Sequence, residues 1–337
     1  MKHLSTPAAL AAILAVLVFL AHTGAMDQYT QTVLMFMGVN IILAASLNLV
    51  NGYMGEFSCG HGGFMAVGAY VSSVLTVLLF TSDRVFGAPL LPPGWALFGF
   101  PLVLLVGGAA AAVAGLVVAI PSFRTRGDYL AIITLAANYI FISAIENMDT
   151  IGGPRGFMGM RRVVNTMGET LGLPWMLIWV FVFTVGTIWV LRRFVYSTYG
   201  RGVSAVAQDE VAAEIMSVNT NKMKMIAFML SSGLAGIAGG LFGHIVGYVN
   251  PGSFTILKST EVLVMVYLGG MGSLSGSVMS AILFTLLLEA LRPLQIIKWI
   301  VVPLLLIVLM QFRPEGILGN REFSDVFPRL RRLYSFK

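Results

Sequence analysis

Charge is what this 337-residue sequence has least of: Lys, Arg, Asp and Glu make up 11% of it, against about 25% in soluble domains. With 57% hydrophobic residues and a mean hydropathy of +0.87, too few charges remain to solvate a globule of this size. A soluble enzyme, a DNA-binding domain and a disordered tail protein are excluded. One cysteine, Cys59, allows no intrachain disulfide, and His3, His22, His61 and His244 are scattered without metal-ligand spacing. No metal site is expected. The chain has no Gly-Lys pair, so it has no P-loop for ATP. Gly270-Met271-Gly272 meets Ser275 where a dinucleotide fingerprint needs glycine, and Leu274 stands where a nucleophile elbow needs serine. A membrane hydrolase using Ser275 and His244 is the remaining enzymatic rival, and enzymatic chemistry is not expected. The net charge of +6 reads as basic loops beside a membrane rather than as nucleic-acid affinity.

What is present is apolar length. A helix needs about 20 apolar residues to cross a bilayer, because each backbone polar group must find its partner within the segment. Candidate runs lie near 8–23, 29–50, 62–80, 97–121, 129–146, 174–193 and 223–249. Three further runs, near 259–271, 275–291 and 296–312, are separated by Gly269-Gly270-Met271-Gly272-Ser273 and by Arg292-Pro293. The first of these is too short to span alone, which predicts a broken or re-entrant helix. Ten spans with both termini inside place 14 of the 21 Lys and Arg on the cytoplasmic side and 7 outside, the bias of the positive-inside rule. Nine spans would put the basic tail and the basic 192–224 loop on opposite sides. The first run also resembles a signal peptide ending at Thr23-Gly24-Ala25; a retained first helix is the reading adopted. The fold class expected is all-α and polytopic, with residues 1–319 as one transmembrane domain and 320–337 as a basic cytoplasmic tail. That tail suits either an anionic inner leaflet or a solvated end.

Polar groups at depth are few: Ser46, Asn48, Thr134, Asn138 and Ser143. Glu146, Glu261 and Glu289 fall near the outer ends, so no carboxylate sits mid-span to carry protons. Gly236, Gly239, Gly240 and Gly243 give overlapping small-xxx-small patterns suited to helix packing. Glycine clusters interrupt the runs at 52–63 and 269–276. Irregular backbone at membrane depth is tolerated where it lines a cavity or is buried in protein, so 52–63 is either part of a passage or a tight turn. The loop 194–222 contains a short helix over 203–216, with Val206, Ala213 and Met216 on one stripe beside Asp209, Glu210 and Glu214. It either docks into a groove of a soluble partner or simply solvates the loop; its acidity opposes burial among anionic headgroups.

Several motifs, in order from about residue 38 to 319, resemble a known family. They are Asn48-Leu49-Val50-Asn51-Gly52-Tyr53-Met54-Gly55, Ser58-Cys59-Gly60-His61, Arg126-Gly127-Asp128-Tyr129 running on to Thr134-Leu135, and Gly152-Gly153-Pro154-Arg155-Gly156. The last two are Leu268-Gly269-Gly270-Met271-Gly272-Ser273 and Arg313-Pro314-Glu315-Gly316-Ile317-Leu318-Gly319. The chain resembles LivM-type permease subunits of bacterial ABC importers for branched-chain amino acids.

That resemblance implies a multi-pass permease of the bacterial inner membrane. Its implied partners are a second homologous permease of LivH type, two cytoplasmic ATPase subunits and a periplasmic binding protein, besides membrane lipid and without nucleic acid. It implies no cofactor on this chain; ATP and Mg belong to the ATPases. Relatives move leucine, isoleucine and valine, others urea, amides or aromatic acids; an ATPase-independent channel or carrier is the other transport reading. The segment 199–221, with Gln208, Asp209, Glu210, Ala212, Ala213, Glu214 and Ser217, looks like the coupling segment that seats on an ATPase. The loop 147–173, with Gly152, Gly153, Pro154, Arg155 and Gly156, would face the periplasm. Asn48, Gly52, Gly55, Ser58, Gly60, Thr134, Asn138, Gly269, Gly270, Gly272 and Ser273 are the candidates for the translocation path and its helix breaks. The chain departs from the family at Glu56 (usually Gln), Arg155 (Asn), Ser217 (Gly), and Ser277 and Ser280 (Pro and Gly).

Overall fold

A computed structural model describes residues 5–82, 87–123, 129–169, 172–312, 315–319 and 322–323. The Arg126-Gly127-Asp128 part of one motif, Arg313-Pro314 and nearly all of the basic tail lie outside them. Apolar content and the absence of water as a backbone partner favour helix wherever the runs are long enough. The helices are α1 (Ser5–His22), α2 (Gln28–Asn48), α3 (His61–Phe80), α4 (Ala96–Ser122), α5 (Tyr129–Glu146), α6 (Met160–Glu169) and α7 (Trp175–Val195). They continue with α8 (Thr198–Gln208), α9 (Glu210–Ile215), α10 (Thr220–Val246), α11 (Ile256–Gly269), α12 (Leu274–Ala290) and α13 (Lys298–Phe312). A single turn of π-helix, Leu49–Tyr53, extends α2. Two short strands, β1 (Phe157–Met158) and β2 (Tyr248–Val249), pair antiparallel.

Each expected run is a helix. Six of them, α2 with its extension, α3, α4 with the turn before it, α5, α7 and α10, are long and apolar enough to cross a membrane. α11, α12 and α13 are shorter, and the apolar part of α1 is the shorter stretch Ala8–His22. At 1.5 Å per residue, the 14 residues of α11 reach about 21 Å, less than the roughly 30 Å of hydrocarbon. The deficit is resolved as a hairpin. α12 folds back antiparallel on α11, Gly269 lies against the Gly276 carbonyl, and Ser280 donates to the Met265 carbonyl.

The core is centred on α10, which packs against α2, α3 and α4. Gly68 and Gly236 let α3 and α10 approach closely: a Cβ on Gly68 would run into the Gly236 backbone, and one on Gly239 into the Met65 carbonyl. Aromatic rings fill the adjoining space, with Phe228 edge-on to Phe64 and to Phe123. Outer faces of α4, α5 and α13 leave Phe98, Leu102, Val117, Ile132, Ile140 and Leu304 exposed. So much apolar surface exceeds what a soluble monomer carries and belongs against lipid or another membrane subunit.

Candidate functional site

Two of the helix breaks meet. α2 ends in its π turn, and residues 55–60 then run back alongside it without regular structure. As a result His61, at the start of α3, is level with Ser46, their side chains 2.8 Å apart; about 10 Å of α2 and its π-helical extension lies beyond Ser46. The glycine cluster 52–63 thus turns at Gly55 and runs back beside α2, with Gly55 and Phe57 exposed and Ser58 and Gly60 buried. Gly55 supplies a φ of +73°, which turns the chain back on itself.

Asn48 ties this break to the α11–α12 tip. Its amide donates to the Ser273 carbonyl and to Ser277 Oγ at 2.8 Å each, and its Oδ1 accepts the Gly272 N–H at 3.0 Å. Gly52 leaves no room for a Cβ against Asn48 and the Gly272 nitrogen. Gly270 lies against residues 315–319, where the Ile317 and Leu318 N–H groups bond the Leu268 and Gly269 carbonyls at 2.9 and 3.2 Å. That last motif thus satisfies carbonyls that the end of α11 would leave open. On the other side of 55–60, Asn51 accepts the Ser58 N–H at 3.3 Å and Thr134 accepts the Cys59 N–H at 3.1 Å. Gly60 packs on the Thr134 carbonyl and Gly63 on Asn138. Asn138 is 0% exposed, and neither of its side-chain polar atoms has a partner among the described residues.

The loop between α7 and α10 holds two helices rather than the single one expected. Asp209, at φ −157°, leaves the helical conformation and caps the second, accepting the Ala212 N–H at 3.0 Å. The cap explains the break: its carboxylate serves a donor at the start of α9, where a negative charge is favoured. The expected stripe is corrected accordingly. Val206 and Ala213 are buried, but Met216 is 78% exposed, and with Val211 and Ile215 it forms an apolar face turned away from the protein. Gln208, Glu210, Ala212 and Glu214 lie beside it; Glu214 accepts the Thr220 hydroxyl at 3.1 Å. Ser217 takes φ +63°, the conformation for which glycine is preferred.

Sequence reasoning passed over Lys224, in the second turn of α10. Its ammonium lies 2.7 Å from Glu56 and 3.0 Å from Glu210, with only 10% of the side chain exposed. The signal was Glu56, flagged as a departure without a partner. Glu322 was also passed over. It accepts the Leu274 and Ser275 N–H groups at 2.9 and 3.1 Å, capping α12, and takes the Tyr53 hydroxyl at 3.1 Å.

At the other end of the molecule, Gly152, Gly153 and Gly156 take positive φ around Pro154, and Tyr248 donates to the Arg155 carbonyl. Arg155 matters here through its backbone, which any residue supplies. Glu261 and Glu289, expected near the outer ends, pair with Lys258 and Arg292 at 2.9 and 3.3 Å.

Residues 29–311 match the family described as branched-chain amino acid transport system / permease component. The high-affinity branched-chain amino acid transport system permease protein LivM of Escherichia coli (strain K12) is 30% identical over 324 residues, covering 89% of this chain and 71% of that one. LivH of the same organism is 25% identical over 307 residues, 87% and 96% of the two chains. BraD of Pseudomonas aeruginosa is 24% identical over 303 residues, 85% and 93%. No solved structure matches. Glycine-broken apolar helices, a capped apolar stub between α7 and α10 and a family match over most of the length converge: the chain belongs to the permease components of branched-chain amino acid transport systems and is a multi-pass protein of the inner membrane.

Proposed function

We propose that this chain forms half of the translocation path of an ATP-driven importer of leucine, isoleucine and valine. It pairs with a second, homologous permease, receives solute from a periplasmic binding protein and draws energy from two separate ATPase subunits that use ATP and Mg. Ten crossings with both termini in the cytoplasm fit the charge bias of the sequence. The α7–α10 loop then faces the cytoplasm and the Gly152–Gly156 loop faces the periplasm.

One observation carries this reading: the exposed apolar face of Val211, Ile215 and Met216 on a capped, anchored helix. Such a face suits insertion into a groove of a partner, which a self-sufficient channel or carrier would not require. Coupling further requires the motor to bind one permease conformation better than another. The break between α2 and α3, the α11–α12 tip and the buried, unpartnered Asn138 amide supply polar groups in an otherwise apolar passage. They suit a solute with an apolar side chain and a zwitterionic end.

The experiment is co-purification followed by transport. The permease pair, expressed with the neighbouring ATPase genes, should retain both ATPases, and Ile215→Asp should lose them while the permeases stay folded. A binding protein from the same gene cluster should prefer leucine, isoleucine and valine over urea, amides and aromatic acids. Retention of the ATPases by Ile215→Asp, or a preference for urea, would overturn the corresponding half of the proposal.

A further inference from the structure

The α9 helix has six residues, too few to hold their own conformation in water. Asp209 caps it from within, and it is held to the rest of the protein by the buried Ala213, the Glu214–Thr220 hydrogen bond and the Glu210–Lys224 ion pair. Lys224 is fixed in a different way, because it belongs to α10, the helix at the centre of the core. Its ammonium also lies 6.0 Å from the centre of the Phe123 ring at the end of α4, within reach of a cation–π attraction. The second carboxylate on that ammonium, Glu56, lies in the irregular segment that continues through Ser58 and Cys59 to Thr134 of α5. A Cβ added to Gly55, the neighbour of Glu56, would meet Ala207 at the end of α8. One charged group therefore joins the α8–α9 unit to the backbone that leads from α2 to α3.

We propose that Lys224 is a positioning residue that carries the movement of α9 to the break between α2 and α3. The ammonium is largely buried, Glu56 is 21% exposed and Glu210 46%, so the Glu210 contact, open to water, is the one that a movement of α9 loosens first, leaving the ammonium tighter to Glu56. A charge pair of this kind specifies an arrangement more than it adds stability. A displacement of α9 that draws Glu210 away leaves the ammonium to Glu56, and the 55–60 segment shifts against α5. The inference rests on the docking of an ATPase at α9.

The test uses the complete importer in proteoliposomes and reads ATP hydrolysed per solute delivered. Lys224→Met should keep the ATPases bound and hydrolysing while uptake falls, raising that ratio about fivefold or more, the lower end of ordinary coupling between sites. Lys224→Arg, which keeps the charge, should restore the ratio. Should Lys224→Met fail to assemble, Glu56→Gln, outside the docking helix, is the second variant and should raise the ratio in the same sense. A fall of hydrolysis and uptake in parallel, or an unchanged ratio in a variant that assembles, overturns the inference and leaves the docking reading standing. Failure of the unaltered chain to hold ATPases overturns both.

Discussion

Ser217 is the one described non-glycine residue with a left-handed backbone, at φ +63°. It follows α9 and turns the chain toward α10. A left-handed conformation costs an L-residue about 1–2 kcal/mol, so Ser217→Gly should relieve about 1 kcal/mol and slow protease cleavage between α9 and α10 several-fold. Ser217→Val, branched at Cβ, should speed it. At Asn48 the stakes are polar. Its three hydrogen bonds cross between α2 and the α11–α12 tip, and Asn48→Ala strands the Gly272 N–H, whereas the Ser273 carbonyl keeps the Ser277 N–H and hydroxyl. A stranded buried group costs about 1–3 kcal/mol; the heat-induced aggregation midpoint of the detergent-solubilised protein should fall clearly. The departures at Glu56, Ser217, Ser277 and Ser280 were legible as residues out of pattern, but their partners were not. Lys224 is 168 residues from Glu56 and Ser277 is 229 from Asn48, and nothing local announces either contact.

Among the elements, the long apolar helices were legible because length and hydropathy alone decide whether a segment can satisfy its backbone in lipid. The short α11 was legible as too short, yet its remedy, the hairpin onto α12, depends on Gly269 and Gly276 meeting face to face. Gly276→Val should therefore separate the two helices and abolish stable expression, whereas Gly186→Val, on α7 where no atom lies within 4 Å of the added carbon, should be tolerated. Immunoblotting of membranes from cells producing each variant distinguishes the two outcomes. The split of the α7–α10 loop at Asp209 was hidden, since Ala, Gln and Glu on both sides favour one continuous helix. A side-chain cap, not propensity, decides it. The exposed face at Val211, Ile215 and Met216 follows from that break, because a helix continued through Asp209 would present other residues.

For the whole molecule, the arrangement predicts sidedness. The one cysteine, Cys59, can be removed, and Arg155→Cys and Lys222→Cys then report opposite ends. A membrane-impermeant maleimide on intact cells should label position 155 and spare 222, and inside-out vesicles should reverse the pattern. Labelling of 222 from outside would invert the topology and with it the role of α9. The proposed function makes this chain a gate that depends on other subunits. The most direct measurement is therefore leucine uptake by proteoliposomes containing this chain and its homologous partner, with the ATPases, binding protein and ATP supplied or withheld. Uptake only when all are present is the expected result; accumulation by the permease pair alone would contradict the account.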